Sequence, residues 1–267
     1  MNALIAVGDR EVRIDLARPV SLAIALDFAN GQPRHFGAPP ATSQPFAVPG
    51  FEGAVARGAS CNCQTLTLIP HCNGTHTECV GHLTRDPLDA HTVAPLGLIP
   101  AILVSITPTH PNGETTEPAP HPGDLLITRR ALERRWPGPA WVPRALVLRT
   151  LPNSPAKRHQ DYTNQTPPYL TREAAQWLVD RGIEHLVVDM PSIDRAHDEG
   201  RLTAHRVFFG LPRGDTELAH ATRPNATVTE LAYIPDTLQD GPYMLEIQVP
   251  ALGGDAVPSR PLLYELL

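Results

Sequence analysis

The chain lacks the features that mark a membrane or nucleic-acid protein. No apolar run approaches the ~20 residues that a membrane-spanning helix needs. Residues Met1 to Asp9 carry neither the basic flank nor the long apolar stretch of a secretory signal. The expected location is the cytoplasm. Lysine and arginine number 22 against 28 acidic residues, giving a formal net charge of −6. No basic cluster stands out, so neither nucleic acid nor an anionic membrane is an expected partner. Aromatic residues make up only 5% of the chain. Nothing marks an aromatic pocket, and Trp136, Trp141 and Trp177 read as packing residues. Cysteine is scarce and clustered: Cys61, Cys63, Cys72 and Cys79 are the four. A disulfide framework would be spread across the fold, so each is a ligand, a reactive thiol or a small buried hydrophobe.

Proline, in contrast, is abundant, with 30 in 267 residues. Prolines break long helices and favour a mixed α/β fold of many short strands. One domain over residues 1–267 is expected. Alternation predicts a strand over Glu11–Leu16, and apolar runs predict strands over Val20–Phe28, Leu98–Ile106, Ala145–Thr150 and Leu186–Met190. The Gly- and Pro-rich stretch from Asn30 to Pro49 reads as loop. Thr128 and Thr171 are N-cap candidates for helices at 129–136 and 172–180. Strand, helix and strand from 145 to 190 suggest a crossover between parallel strands.

The chemistry is concentrated in His71-Cys72-Asn73-Gly74-Thr75-His76-Thr77-Glu78-Cys79-Val80-Gly81-His82. Twelve residues hold three imidazoles, two thiols and a carboxylate, the donor set of borderline metals such as zinc. Gly74 argues against a regular helix, so the stretch reads as a ligand-gathering loop. With His76, Glu78 and His71 or Cys72 as ligands, a divalent cation would activate water for attack on a carbonyl. His82, with an unperturbed pKa near 6.5, would move the proton. The cysteine spacing does not match ordinary structural zinc modules. Cysteine chemistry at Cys72 or Cys79 is a separate reading.

This segment resembles the signature His-x-Gly-Thr-His-x-Asp-x-Pro-x-His of the cyclase family of metal-dependent hydrolases, which includes kynurenine formamidase and isatin hydrolase. Gly74, Thr75, His76 and His82 fall in register. Pro122-Gly123-Asp124, Arg149-Thr150, Asp189-x-Pro191-Ser192-x-Asp194 and Pro258-x-Arg260 are similar to further family segments. The resemblance implies a swivelling β/β/α-type fold with a mixed sheet and few helices. It implies a dimer or tetramer and a divalent cation, zinc first and manganese as the alternative. It makes His76, Glu78, His205 and Glu230 ligands and His82 the acid/base. The family's first histidine falls on Cys72, with His71 one residue early, so either can be the remaining ligand. His220 is a rival for His205. The expected substrate is a small carbonyl compound, an amide, formamide, lactam or lactone, with arylformamidase-like cleavage of a non-peptide C–N bond. The alternative is a metal-poor relative that binds a small molecule or protein without turnover.

Overall fold

The computed structural model describes residues 1–138 and 141–267. Nine strands form one mixed sheet, in the spatial order Ala256–Pro258, His76–Glu78, Thr227–Glu230, His185–Val188, Ala145–Thr150, Ile99–Ile106, Gly241–Gln248, Arg260–Glu265 and Val20–Ser21. The four strands from Thr227–Glu230 to Ile99–Ile106 run parallel. The others pair antiparallel on either side.

The near-continuous apolar runs of the central strands follow from burial on both faces. Ile102, Val104, Leu146, Leu148 and Leu186 point to a core shared with the helices. Their neighbours Leu103, Val147 and Val187 point to a second core on the opposite face. Truncating one of these fully buried leucines, such as Leu148, to alanine would cost ~2–5 kcal/mol.

Among the described residues the α-helices are few and short: Ala90–Val93, Arg129–Arg135, Arg172–Asp180 and Thr203–Phe209. The Thr128 hydroxyl accepts from the Ala131 N–H at 3.1 Å, and the Thr171 hydroxyl from the Ala174 N–H at 3.0 Å. Both caps are as the sequence predicts, and each is worth ~1 kcal/mol. Helix Arg172–Asp180 joins the parallel strands Ala145–Thr150 and His185–Val188, the expected crossover. Trp136 and Trp177 pack edge-to-face at 5.2 Å. Trp141 packs on the core under the N-terminal hairpin, Asn2–Val7 with Arg10–Asp15. The architecture is the expected mixed α/β fold of the swivelling type.

Three expectations are corrected. Val20–Phe28 is a strand only at Val20–Ser21. Beyond it the Ile24 N–H bonds the Thr75 hydroxyl, and the Leu22 carbonyl accepts from Tyr233, so the chain leaves the ladder. The Asn30–Pro49 stretch is not all loop. Gln32 closes it by bonding both the N–H and the carbonyl of Ala41, and Thr42–Pro45 then pairs with Gln64–Thr67. Finally, the centre of the His71–His82 stretch is a sheet strand, not a loop. No helix of the described residues is long and apolar enough to cross a membrane.

Candidate metal centre

Gly74 turns the chain into strand His76–Glu78. Its φ is +77°, and a Cβ there would meet the Leu26 side chain at 2.9 Å. Thr75 fixes the next step: its hydroxyl donates to the Leu231 carbonyl at 2.5 Å and accepts from the Ile24 N–H at 2.9 Å. Strand His76–Glu78 then runs between Thr227–Glu230 and Ala256–Pro258. Side chains alternate along a strand, so His76 and Glu78 share one face while Thr77 bonds Thr229 on the other at 2.7 Å. Glu230 lies opposite His76 in register and ends its strand. Leu231, at a φ of +52°, turns the chain away.

The second side of the site is helix Thr203–Phe209. Asp194 accepts from the N–H groups of Ala204 at 2.7 Å and His205 at 3.0 Å. The same carboxylate takes the His205 ring at Nδ1, 2.7 Å away. Helix start and imidazole orientation are therefore set by one side chain.

Donor atoms converge between these elements. His205 Nε2 lies 2.6 Å from Glu78 Oε1 and 3.5 Å from Glu230 Oε1. His76 Nε2 lies 3.6 Å from Glu230 Oε2, and His71 Nδ1 lies 2.9 Å from Glu78 Oε2. Three groups result, His71 with His76 and Glu78, Glu78 with His205 and Glu230, and at the more open edge His71 with His82 and Asp255; within each, the ligand atoms lie within 4.8 Å of one another. His76, Glu78, His205 and Glu230 are each at most 3% exposed. Yet among the described residues His76 Nε2, Glu78 Oε1 and His205 Nε2 have no hydrogen-bond partner; the short His205–Glu78 approach lies off the hydrogen-bonding direction. Buried polar atoms are normally paired. The far ring nitrogens are paired: His76 Nδ1 with the Gly74 carbonyl at 3.1 Å and His205 Nδ1 with Asp194. Holding one nitrogen and aiming the other inward is how histidine ligands are oriented.

Charge follows the same geometry. Burial disfavours the charged form of Glu78, but the attraction of His205 and His82 outweighs it and holds the carboxyl well below its usual range. Burial and Glu78 both work to raise Glu230, yet contacts from His205 and His76 leave it lowered. His205, despite complete burial, is held well above its usual pKa by Glu78 and Asp194. Burial opposes the imidazolium of His71 as well, but contacts with Asp255 and Glu78 push it up to about 10. The cluster holds cationic character between its carboxylates, the place a metal ion would take.

The "Putative cyclase" family profile matches residues 14–195. The chain belongs to this cyclase family. No curated protein matches it in sequence. Among solved structures, the chain is similar to a predicted metal-dependent hydrolase from Bacillus stearothermophilus, at 16% identity and a TM-score of 0.59, over 92% of this chain and 98% of that one. It is similar to an isatin hydrolase bound to the product analogue thioisatinate, at 16% identity and a TM-score of 0.59, over 94% and 93%. Isatin hydrolase A from Ralstonia solanacearum aligns at 16% identity and a TM-score of 0.57, over 92% and 91%. At such identities these likenesses describe the fold.

In this member of the cyclase family, five of the six expected ligands come together: His71, His76, Glu78, His205 and Glu230. Cys72 does not join them; among the described residues no ligand-distance group includes it, although it lines the same cavity. His71 is the one of the two that joins the cluster, its ring reaching Glu78 on one side and Asp255 on the other. His220 is exposed and bonds Asp215 at 2.7 Å, so His205 is the histidine at the site. His82 stands at the edge, partly exposed, with Nδ1 3.2 Å from Asp255. Both buried thiols, Cys72 and Cys79, are pushed up by burial, Cys79 to about 12, which makes them poor nucleophiles. A cavity of about 750 Å³ lies over the cluster and is walled largely by residues 191–202. Sequence reasoning missed Asp255 and the orienting role of Asp194. The first sits 173 residues from His82, and only the pairing of Ala256–Pro258 with His76–Glu78 brings it near.

Proposed function

We propose that the chain is a metal-dependent hydrolase that cleaves the carbonyl C–N or C–O bond of a small amide, formamide, lactam or lactone. The observation that carries this reading is the convergence of buried, unpartnered His76 Nε2, Glu78 Oε1 and His205 Nε2 beneath a substrate-sized cavity. His71, His76 and Glu78 would hold one divalent cation, and Glu78, His205 and Glu230 a second, with Glu78 shared. A bound divalent cation supplies Lewis acidity to water and to a carbonyl oxygen. Imidazoles with carboxylates suit zinc first, with manganese favoured as carboxylates dominate the shell. His82 faces the same cavity as Glu78 and His205 and moves the proton at its ring nitrogen away from Asp255. Leu202, Ile69 and Phe36 line the cavity and offer apolar surface to the body of a substrate. The fold likeness to isatin hydrolases makes isatin-type lactams the first substrates to assay and aryl formamides the second. The same reading carries a dimer or tetramer, which the mass in solution tests.

The test is metal content by mass spectrometry, paired with hydrolysis assays, on wild type and His76→Ala. Near-stoichiometric zinc or manganese together with hydrolysis, both lost in the variant, is the expected result. A wild type that takes up neither metal after incubation sinks the reading and leaves a ligand-binding relative without turnover.

A further inference from the structure

We propose that Asp255 is a positioning residue that sets the tautomers of His71 and His82 together, and so ties a metal ligand to the acid/base group. This rests on the hydrolase reading. One oxygen, Asp255 Oδ2, lies 2.7 Å from His71 Nε2 and 3.2 Å from His82 Nδ1. An ionised carboxylate only accepts hydrogen bonds. Each imidazole therefore places an N–H on Asp255 and turns its other nitrogen away from it. For His71 the other nitrogen is Nδ1, 2.9 Å from Glu78 Oε2, the atom that would give up its proton to a bound cation. For His82 it is Nε2, the atom available to a substrate or water in the cavity. The two rings lie 4.2 Å apart between centroids, so one carboxylate serves both without a change of rotamer.

The backbone holds Asp255 in this position from both sides. Its carbonyl accepts from the Cys79 N–H at 3.0 Å. The preceding Gly254 donates to the Asp89 carboxylate at 2.8 Å, and its carbonyl accepts from Ala90 at 2.8 Å. Gly81 lets the His82 turn come close: a Cβ there would meet the Leu88 carbonyl at 2.5 Å and the Asp255 Cβ at 3.2 Å. A strand start, a helix start and a glycine thus converge on one carboxylate. A surface ion pair with no such scaffold would need no explanation beyond solvation.

The experiment uses the zinc-loaded protein with ¹⁵N-labelled histidine, comparing wild type, Asp255→Ala and Asp255→Asn. Long-range ¹H–¹⁵N spectra read the tautomer of each ring without reference to activity. In wild type, His82 is expected protonated at Nδ1 and bare at Nε2. In Asp255→Ala it shifts toward the Nε2-protonated form, kcat falls about 10–100-fold, and chelator competition shows zinc held about 10–100-fold more weakly, with KM unchanged. Asp255→Asn keeps the side-chain size and one oxygen with two lone pairs; since both rings meet a single oxygen of Asp255, the amide oxygen in that place accepts from both, and both tautomers are expected to be kept. Unchanged tautomers for both rings in Asp255→Ala overturn the proposal, whatever the rate does. A wild type that cleaves no carbonyl substrate overturns the hydrolase reading instead, and the spectra still decide the place of Asp255.

Discussion

The two sides of the centre are built differently. Glu78, His205 and Glu230 stand on two strands and a helix, nearly without solvent contact. His71, His82 and Asp255 stand on turns and a strand entrance, with side chains between 26% and 38% exposed. Regular elements fix the donors that a cation needs at constant separation. Turns carry the groups that must meet substrate and water. On the proposed reading, the buried side would hold the cation, while the open side would add one ligand, His71, and carry the group that governs turnover, His82.

The hardest blow to this contrast is Glu78→Ala. It removes the carboxylate shared by two of the ligand groups, and the expected loss is about three orders of magnitude in kcat/KM, ~4 kcal/mol of barrier, with metal content falling alongside. Retention of stoichiometric metal in this variant would show that the buried side does not hold the cation. Asp194→Ala releases the His205 ring and the helix start without touching the ligand atoms. It is expected to weaken zinc about 10–100-fold, read by chelator competition, and His82→Ala is expected to leave zinc affinity nearly intact while lowering kcat.

The pH dependence of the metal-free protein sharpens the comparison further. His71 is raised from 6.5 to about 10, so its contribution is complete below pH 6.5 and is lost as pH climbs toward 10. Glu78 and Glu230 are lowered from 4.5, so their contribution is present above pH 4.5 and lost as pH falls. Thermal melts should therefore peak between about pH 4.5 and 6.5, with Tm dropping by several degrees on each side. A metal ligand must shed its proton, so saturating zinc should remove the alkaline drop; a drop that persists would separate His71, or His205, which is raised as well, from the cation. The smallest expected effect is that of Cys72→Ser. Metal stoichiometry should hold and affinity change by less than ~2-fold, since the thiol lies outside the donor groups. A large loss of metal would restore Cys72 as a ligand.

Much of this was legible in the sequence where a local rule decides. Thr128 and Thr171 announce their helices because a hydroxyl before a helical period has one use there. Ala145–Thr150 reads as a buried strand because both faces are covered. His76 and Glu78 stand two apart, which places them on one side of a strand. The choice between His71 and Cys72 was not legible, because it depends on where a turn aims two adjacent side chains. Asp255 was hidden for a different reason. Gly253-Gly254-Asp255 reads as an ordinary turn until the last short strand pairs beside His76–Glu78, a contact across more than 170 residues of chain. Val20–Phe28 misled because its backbone groups are taken by Thr75 and Tyr233, partners that no local pattern foretells.

The sheet ends at one side in a strand of three residues, closed by Pro258, and at the other in a strand of two. Rows of free N–H and C=O groups on a sheet border are templates for a further chain. Here each border is too short to recruit one, and proline removes a donor from the strand beside the ligands. Main-chain pairing on either terminal strand would add few hydrogen bonds to an association of subunits. The strand that carries His76 and Glu78 is itself paired on both sides and presents no open border.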